Sequence, residues 1–257
     1  MYSLIMENAS FDFGYEWYLH YSHLLVGTIC GLLALLVWRL RWSRVVTIIL
    51  AAGALWGLTG AWIIRDKINL NSPDRMPTQS FLPSGTGRVL DLGAGSGRTT
   101  LMVLEARPQA RVVSLDKFAQ GFGIEPNTPQ QLRSNLRAAG VDSQVDISEA
   151  DMRKIPYDAE SFDAAVSAFA MDHLGRQAFD ETLAEVTRVL RPGGQLLFMT
   201  INRDIWVRIA FPFLHGHGYF GKEPAPDRWR RALTSTGLEV VEMGTQPATL
   251  YILCRKQ

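Results

Sequence analysis

Residues 89–97 read V-L-D-L-G-A-G-S-G, an apolar run that carries an acid at Asp91 and passes into three glycines spaced two apart. A short apolar run bounded by a glycine turn reads as a buried strand. Glycine supplies positive φ without steric penalty and lets a ligand come close to the backbone. From Arg98 the chain reads as a helix that stops near Pro108. A strand, a glycine turn and a helix N-terminus together present unpaired N–H groups and a positive partial charge, which suits a nucleotide-like ligand. A second apolar run, Arg111 to Leu115, ends on Asp116. That acid lies near the roughly twenty-residue offset at which a carboxylate meets ribose hydroxyls, and its two oxygens suit a vicinal diol.

The third glycine comes one residue early for the G-x-G-x-x-G of a dinucleotide fold, which argues against a pyrophosphate ligand. The pattern D-x-G-x-G-x-G over Asp91 to Gly97 instead resembles motif I of the Rossmann-like (class I) S-adenosylmethionine (SAM)-dependent methyltransferases. Three later segments extend the resemblance in the family's order: Glu149-Ala-Asp-Met152, Ser161-Phe-Asp-Ala-Ala-Val-Ser167 and Arg188-Val-Leu-Arg-Pro-Gly-Gly194. Together they span about residues 85–200. The ubiquinone/menaquinone C-methyltransferase and arsenite methyltransferase-like group is the nearest in character.

The resemblance implies a seven-stranded, mostly parallel sheet with helices on both faces and an antiparallel last strand, with SAM as cofactor. Carried over position by position, Gly93, Ala94, Gly95 and Gly97 let the backbone approach the methionine portion, with Asp91 near its ammonium group. Asp116 takes the ribose hydroxyls. Asp151 accepts from the adenine amino group, and the Met152 N–H reaches a ring nitrogen. Ser167 and Ala168 end the fourth strand against the cofactor. Lys117 reads as a solvated side chain or as a stem across the adenine, and Asp151 also fits a plain turn cap.

The remaining elements alternate as a covered parallel sheet requires. Thr128-Pro129 and Gly140 bracket a helix, and Val145 to Ser148 and Phe162 to Ala168 read as strands. Phe179, Leu183, Val186 and Leu190 recur at helical spacing. Strand Gln195 to Thr200, helix Asp227 to Thr236 and strands Leu238 to Met243 and Ala248 to Cys254 complete the reading. Asp172 and His173 follow the fourth strand at the carboxyl edge, where ligands sit in open sheets. They are the catalytic candidates, with His173 as a base near neutral pH or as an ordinary loop histidine. His215-x-His217 lacks a third ligand at a recognisable spacing, so no metal is expected. Trp206, Phe211, Phe213, Tyr219 and Phe220 form either a flap over an acceptor pocket or a packing surface.

The first 68 residues differ in kind. Two hydrophobic segments, about 18–38 and 45–64, reach the length needed to cross a bilayer, with His20 and His23 weakening the first. No basic run precedes them, which argues against a cleaved signal peptide. Gly27-x-x-x-Gly31 and Gly53-x-x-x-Gly57 would let helices pack closely, as a hairpin or as a homodimer contact. Residues 69–86, rich in Pro, Ser, Asn and Gly, read as a linker, and 87–257 as the methyltransferase domain.

SAM is cytosolic, so the expectation is an integral membrane protein with its catalytic domain facing the cytoplasm. Arg39, Arg41 and Arg44 then lie outside, against the positive-inside tendency, while Arg65, Lys67 and Arg75 favour the assignment. A net charge of +1 shows no nucleic-acid footprint, and two cysteines, Cys30 and Cys254, suggest neither disulfides nor a zinc cluster. The expected reaction is methyl transfer to a small or lipophilic acceptor. A non-catalytic SAM-binding membrane scaffold is the alternative.

Overall fold

The computed structural model describes residues 10–120, 124–212 and 225–257. The chain divides into two units. The first holds residues 10–14, 71–202 and 225–257 of those described, and the second residues 15–70 and 203–212. His215, His217, Phe213, Tyr219 and Phe220 lie outside the described residues.

The first unit is a seven-stranded sheet in the order β3-β2-β1-β4-β5-β7-β6. Its strands are β1 (Thr86–Leu92), β2 (Gln109–Asp116), β3 (Val145–Glu149), β4 (Phe162–Ala168), β5 (Leu190–Ile201), β6 (Leu238–Gln246) and β7 (Thr249–Lys256). β7 runs antiparallel to β5 and to β6, while the strands from β3 to β5 are parallel. The central strands are continuous apolar runs because both sheet faces are covered: Val89, Leu90, Leu92, Ala164, Ala165 and Val166 have no exposed surface. β1 pairs with β2 on one side and β4 on the other. Strand order reverses there, and an open α/β sheet leaves its ligand crevice at such a point.

Local chemistry sets the helix ends. Gly97, at φ 95°, precedes the helix Arg98–Ala106. Thr128 caps Pro129–Ala138 by accepting from the Gln131 N–H at 3.2 Å, and Pro129 stands where no N–H partner is needed. In Arg176–Val189, Phe179, Leu183 and Val186 are fully buried, as their spacing predicts. Phe179, Phe198 of β5 and Trp229 of the helix Ala225–Thr234 form one aromatic cluster, with Trp229 4.9 Å from Phe198 and 5.5 Å from Phe179.

Two irregular segments belong to this unit as fully as its strands do. Where composition suggests a linker, the chain from 72 to 82 is tied down. The Arg107 guanidinium donates to the carbonyls of Gln79, Phe81, Leu82 and Ala106 at 2.8–3.0 Å. Gln195 accepts from the Leu82 N–H and donates to Ser80 O. Arg98 pairs with buried Asp74 at 3.1 Å and donates to Ser72 O. Phe81 is fully buried. Residues 10–14 form the other segment, with Phe13 buried and Asp12 bonded to Asn135.

The second unit is a helical hairpin plus one short helix. Its long helices are Trp17–Arg39 and Arg44–Ile63, the latter continuing through a π-turn to Ile68. Both are long and apolar enough to cross a membrane. Ser43 caps the second helix through the Val46 N–H. Gly57 allows the two backbones to meet, since a Cβ there would strike the backbone of Gly27. His23, which weakened the first segment in sequence, turns inward and donates from Nε2 to Ala210 O at 2.6 Å. Trp56 donates to Ile209 O at 2.8 Å. Ala210 and Ile209 belong to the short helix Ile205–Ala210, so ring N–H groups from both long helices satisfy the carbonyls at its C-terminal end. Trp206 packs edge-on to Trp62 at 5.8 Å, and Lys67 Nζ lies over both rings.

Candidate cofactor site

The glycine turn follows the end of β1, at the carboxyl edge of the sheet. Gly93, Gly95 and Gly97 all have positive φ, at 76°, 52° and 95°. Two of them also lack room for a side chain, because a Cβ on Gly93 would strike Ala170 and one on Gly97 would strike Leu132. The Gly93 and Ala94 N–H groups donate to Leu115 O, which joins the turn to β2. At the end of β2, Asp116 accepts from the Gly95 N–H at 2.8 Å and from the Phe118 N–H at 2.6 Å. The residue read from sequence as a ribose ligand therefore also shapes the loop. A carboxylate offers about four lone-pair positions, so two remain for a diol.

Asp91 is fully buried. Its Oδ2 accepts from Thr100 Oγ1 at 2.6 Å, and Thr100 also contacts Ser114 Oγ at 2.7 Å. Its Oδ1 has no partner among the described residues. Burial pushes the Asp91 carboxyl up to about 7; the Thr100 bond draws it down, and the charges of Asp116 and Asp74 draw it up. A second buried acceptor without a partner is Asn127 Oδ1, which would lie 4.0 Å from a Cβ on Gly95. Asn127 is held by donating to Ala119 O at 3.0 Å and accepting at its carbonyl from Gln120. Buried acceptors of this kind are costly unless something donates to them. SAM carries matching donors in its ammonium, its ribose hydroxyls and its adenine amino group, so the residues fit it.

Beyond β3, Asp151 is gripped by Arg153 through side chain and backbone and pairs with Lys117 at 3.1 Å. The Arg153 hydrogen bonds foremost hold its carboxyl well below the usual range. Lys117 is exposed and engaged by Asp151. Met152 is part-buried, its Cε 3.3 Å from the Cβ position of Gly93. Ser167 donates to Leu92 O and accepts from the Met171 N–H, pinning the β4 exit to the β1 exit; Ala168 is buried beside it. Of the two acceptor-side candidates, Asp172 is buried and accepts from Thr200 Oγ1 of β5 at 2.6 Å, while His173 is exposed.

Sequence reasoning missed Ser96, Asn127 and Asn135. Ser96 lies within the motif but had no role assigned. Asn127 precedes and Asn135 lies within the helix Pro129–Ala138, and neither had a role assigned.

The family described as "Methyltransferase domain" matches residues 89–194. A demethylmenaquinone methyltransferase of Thermus thermophilus is 31% identical over 176 residues, covering 60% of this chain and 74% of that protein. The ubiquinone/menaquinone biosynthesis C-methyltransferase UbiE of Syntrophotalea carbinolica is 32% identical over 121 residues, 47% of this chain and 46% of that one. The chain thus spans about half the length of several curated relatives it matches. Among solved structures, 1,6-didemethyltoxoflavin-N1-methyltransferase of Burkholderia thailandensis, with S-adenosylhomocysteine bound, superposes with a TM-score of 0.50 at 18% identity, covering 79% of each chain. The chain belongs to the Rossmann-like SAM-dependent methyltransferases, and SAM is its cofactor.

Proposed function

We propose that this methyltransferase is held in a membrane by its helical hairpin and methylates a small lipophilic acceptor of the quinone-precursor or lipid type. The observation that carries the reading is the outward face of the hairpin. Leu32, Ile48, Leu55 and Trp42 are 64–76% exposed, a surface that suits lipid and not water. The quinone methyltransferases among the relatives lend the acceptor class.

Both ends of the hairpin continue into segments bonded within the sheet unit, residues 10–14 and 72–82. The reading has two crossings: SAM is cytosolic, so the catalytic domain faces the cytoplasm and the 40–43 turn the other compartment. Cysteine accessibility at residues 40–43 tests this; a cytosolic turn would remove the hairpin topology.

SAM supplies a methyl group already activated by its sulfonium, so the protein's part is to hold the cofactor, align the acceptor and exclude water. Asp91 and Asn127 offer buried acceptors to the cofactor's donors, Asp116 takes the ribose hydroxyls, and the glycine turn admits the methionine portion. The Met152 N–H faces the adenine, and Asp151, whose lone-pair positions are taken by the Arg153 N–H groups and Lys117, receives the adenine amino group in exchange for one of them. Ser167 and Ala168 close the β4 side. His173, exposed at the carboxyl edge, serves as base where the acceptor's nucleophile carries a proton, and Asp172 fixes that edge through Thr200. Asp116→Ala is expected to weaken SAM binding by about 1–3 kcal/mol; unchanged affinity would take Asp116 out of the site.

The functional test is to incubate membranes containing the protein with methyl-labelled SAM and a whole-cell lipid extract, then partition the products. Label in the organic phase is expected. Label confined to the aqueous phase would refute a lipophilic acceptor, and cofactor binding without transfer to any extract would favour a scaffold.

A further inference from the structure

The glycine turn does not hold its shape alone. Ser96, in its middle and buried, donates from Oγ to Phe13 O at 2.9 Å. The Ser96 carbonyl accepts from Asn135 Nδ2 at 2.8 Å. The same Asn135 side chain donates to Asp12 O at 2.7 Å and accepts from the Asp12 N–H at 3.0 Å. Gln131 adds a further bond to Asp12 O at 2.7 Å. Two residues on, Gly14 O accepts from the Glu125 N–H at 2.7 Å. That bond fixes the start of the 124–127 turn, where Ile124 Cδ1 lies 3.2 Å from the Cβ position of Gly95 and Asn127 holds its unpartnered acceptor.

We propose that residues 12–14 are a strap that positions both walls of the cofactor site, the glycine turn and the 124–127 turn. The inference rests on the reading of the glycine turn as the SAM site. Phe13, buried beside Ser96, seats the strap, and Asn135 is its hub, with both N–H bonds and its carbonyl oxygen engaged between Asp12 and Ser96. Without the strap the binding shape becomes one state among several, and affinity falls by the fraction of molecules holding it. Occupied cofactor in turn tightens the strap, since any ligand that favours one state stabilises everything that defines it. Asp12, Phe13 and Gly14 are positioning residues that act through Ser96 and Glu125.

The experiment uses the full chain in detergent micelles with S-adenosylhomocysteine as probe. Hydrogen exchange of the unaltered protein is followed with and without the probe, and the probe's affinity is measured for Asp12→Pro, which removes the N–H donated to Asn135 and the carboxylate that accepts from the Gly14 N–H at 2.9 Å, and for Asn135→Ala. The probe is expected to slow exchange at the Asp12 and Glu125 amides. Each variant is expected to weaken probe binding about fivefold or more, beyond any change in its melting temperature. Binding by the unaltered chain with no slowing at either amide, or with both variants binding equally well, overturns the strap. No binding by the unaltered chain overturns the assignment of the cofactor site itself.

Discussion

Leu90 and Leu92 of the sheet unit expose no surface, while Leu32 and Leu55 of the hairpin expose 64% and 69% of theirs. The same residue type thus does opposite work in the two units. In the sheet, apolar side chains are buried against one another, and the stabilisation comes from leaving water. In the hairpin Leu32, Ile48 and Leu55 are exposed, and the contact is made by Gly27 against Gly57, Cys30 facing Gly53 and His23 over Gly60. An apolar outer face with a small-residue seam is the pattern of helices whose solvent is itself apolar. In the membrane-held reading proposed above, the hydrophobic effect assembles one unit and close backbone packing the other.

The sharpest way to break that comparison is an all-or-none cross-link. A Cβ on Gly53 would lie 3.6 Å from Cys30 Cβ, within the range a disulfide needs. Gly53→Cys is expected to form that bond on mild oxidation in membranes, seen as protection of both thiols from a maleimide label, whereas Leu55→Cys is not. Cys254 stays silent, because burial pushes its thiol up to about 12. Failure of the Gly53→Cys cross-link would mean the helices do not meet along this seam.

Next in size is core truncation. Trp229→Ala should cost about 3–5 kcal/mol, read as a lower melting temperature in detergent, while Leu55→Ala on the hairpin's outer face should change it by less than about 0.5 kcal/mol. Equal losses would erase the distinction between the units.

The last effect, read as a pH profile, concerns Asp91. Its folded value of about 7 stands above the ordinary carboxylate value of 3.8. Between those values the folded state keeps a proton that the unfolded chain has lost, so the cofactor-free protein should lose stability as pH rises from about 4 to about 7. Binding has the opposite sign. An ammonium group favours the carboxylate, so below pH 7 the proton must leave on binding, and affinity for S-adenosylhomocysteine should weaken about tenfold per pH unit. Asp91→Asn should flatten the profile; a flat profile in the unaltered protein would separate Asp91 from the ammonium.

Local signals carried most of the fold. The glycine turn, the Thr128-Pro129 cap and the spacing of Phe179, Leu183 and Val186 are each complete within a few residues, and each stands where its pattern implies. The boundaries between units were less legible. Residues 69–86 look like a linker because their composition is that of a turn, yet Arg107 and Gln195, from distant elements, tie down their backbone. Residues 10–14 likewise carry no pattern of their own, since their bonds come from Ser96, Glu125 and Asn135. His23 argued against a spanning helix until its partner, a carbonyl at Ala210, was visible.

The bond from Asp12 to Asn135 joins residues 123 positions apart, which gives the chain a schedule. At about 5–20 residues per second of synthesis, the strap waits about 6–25 s for its partner. Both hydrophobic helices have left the ribosome by then. In the membrane-held reading proposed above, residues 10–14 and the sheet must end in the same compartment, so the placement of the first helix is settled before any strand exists.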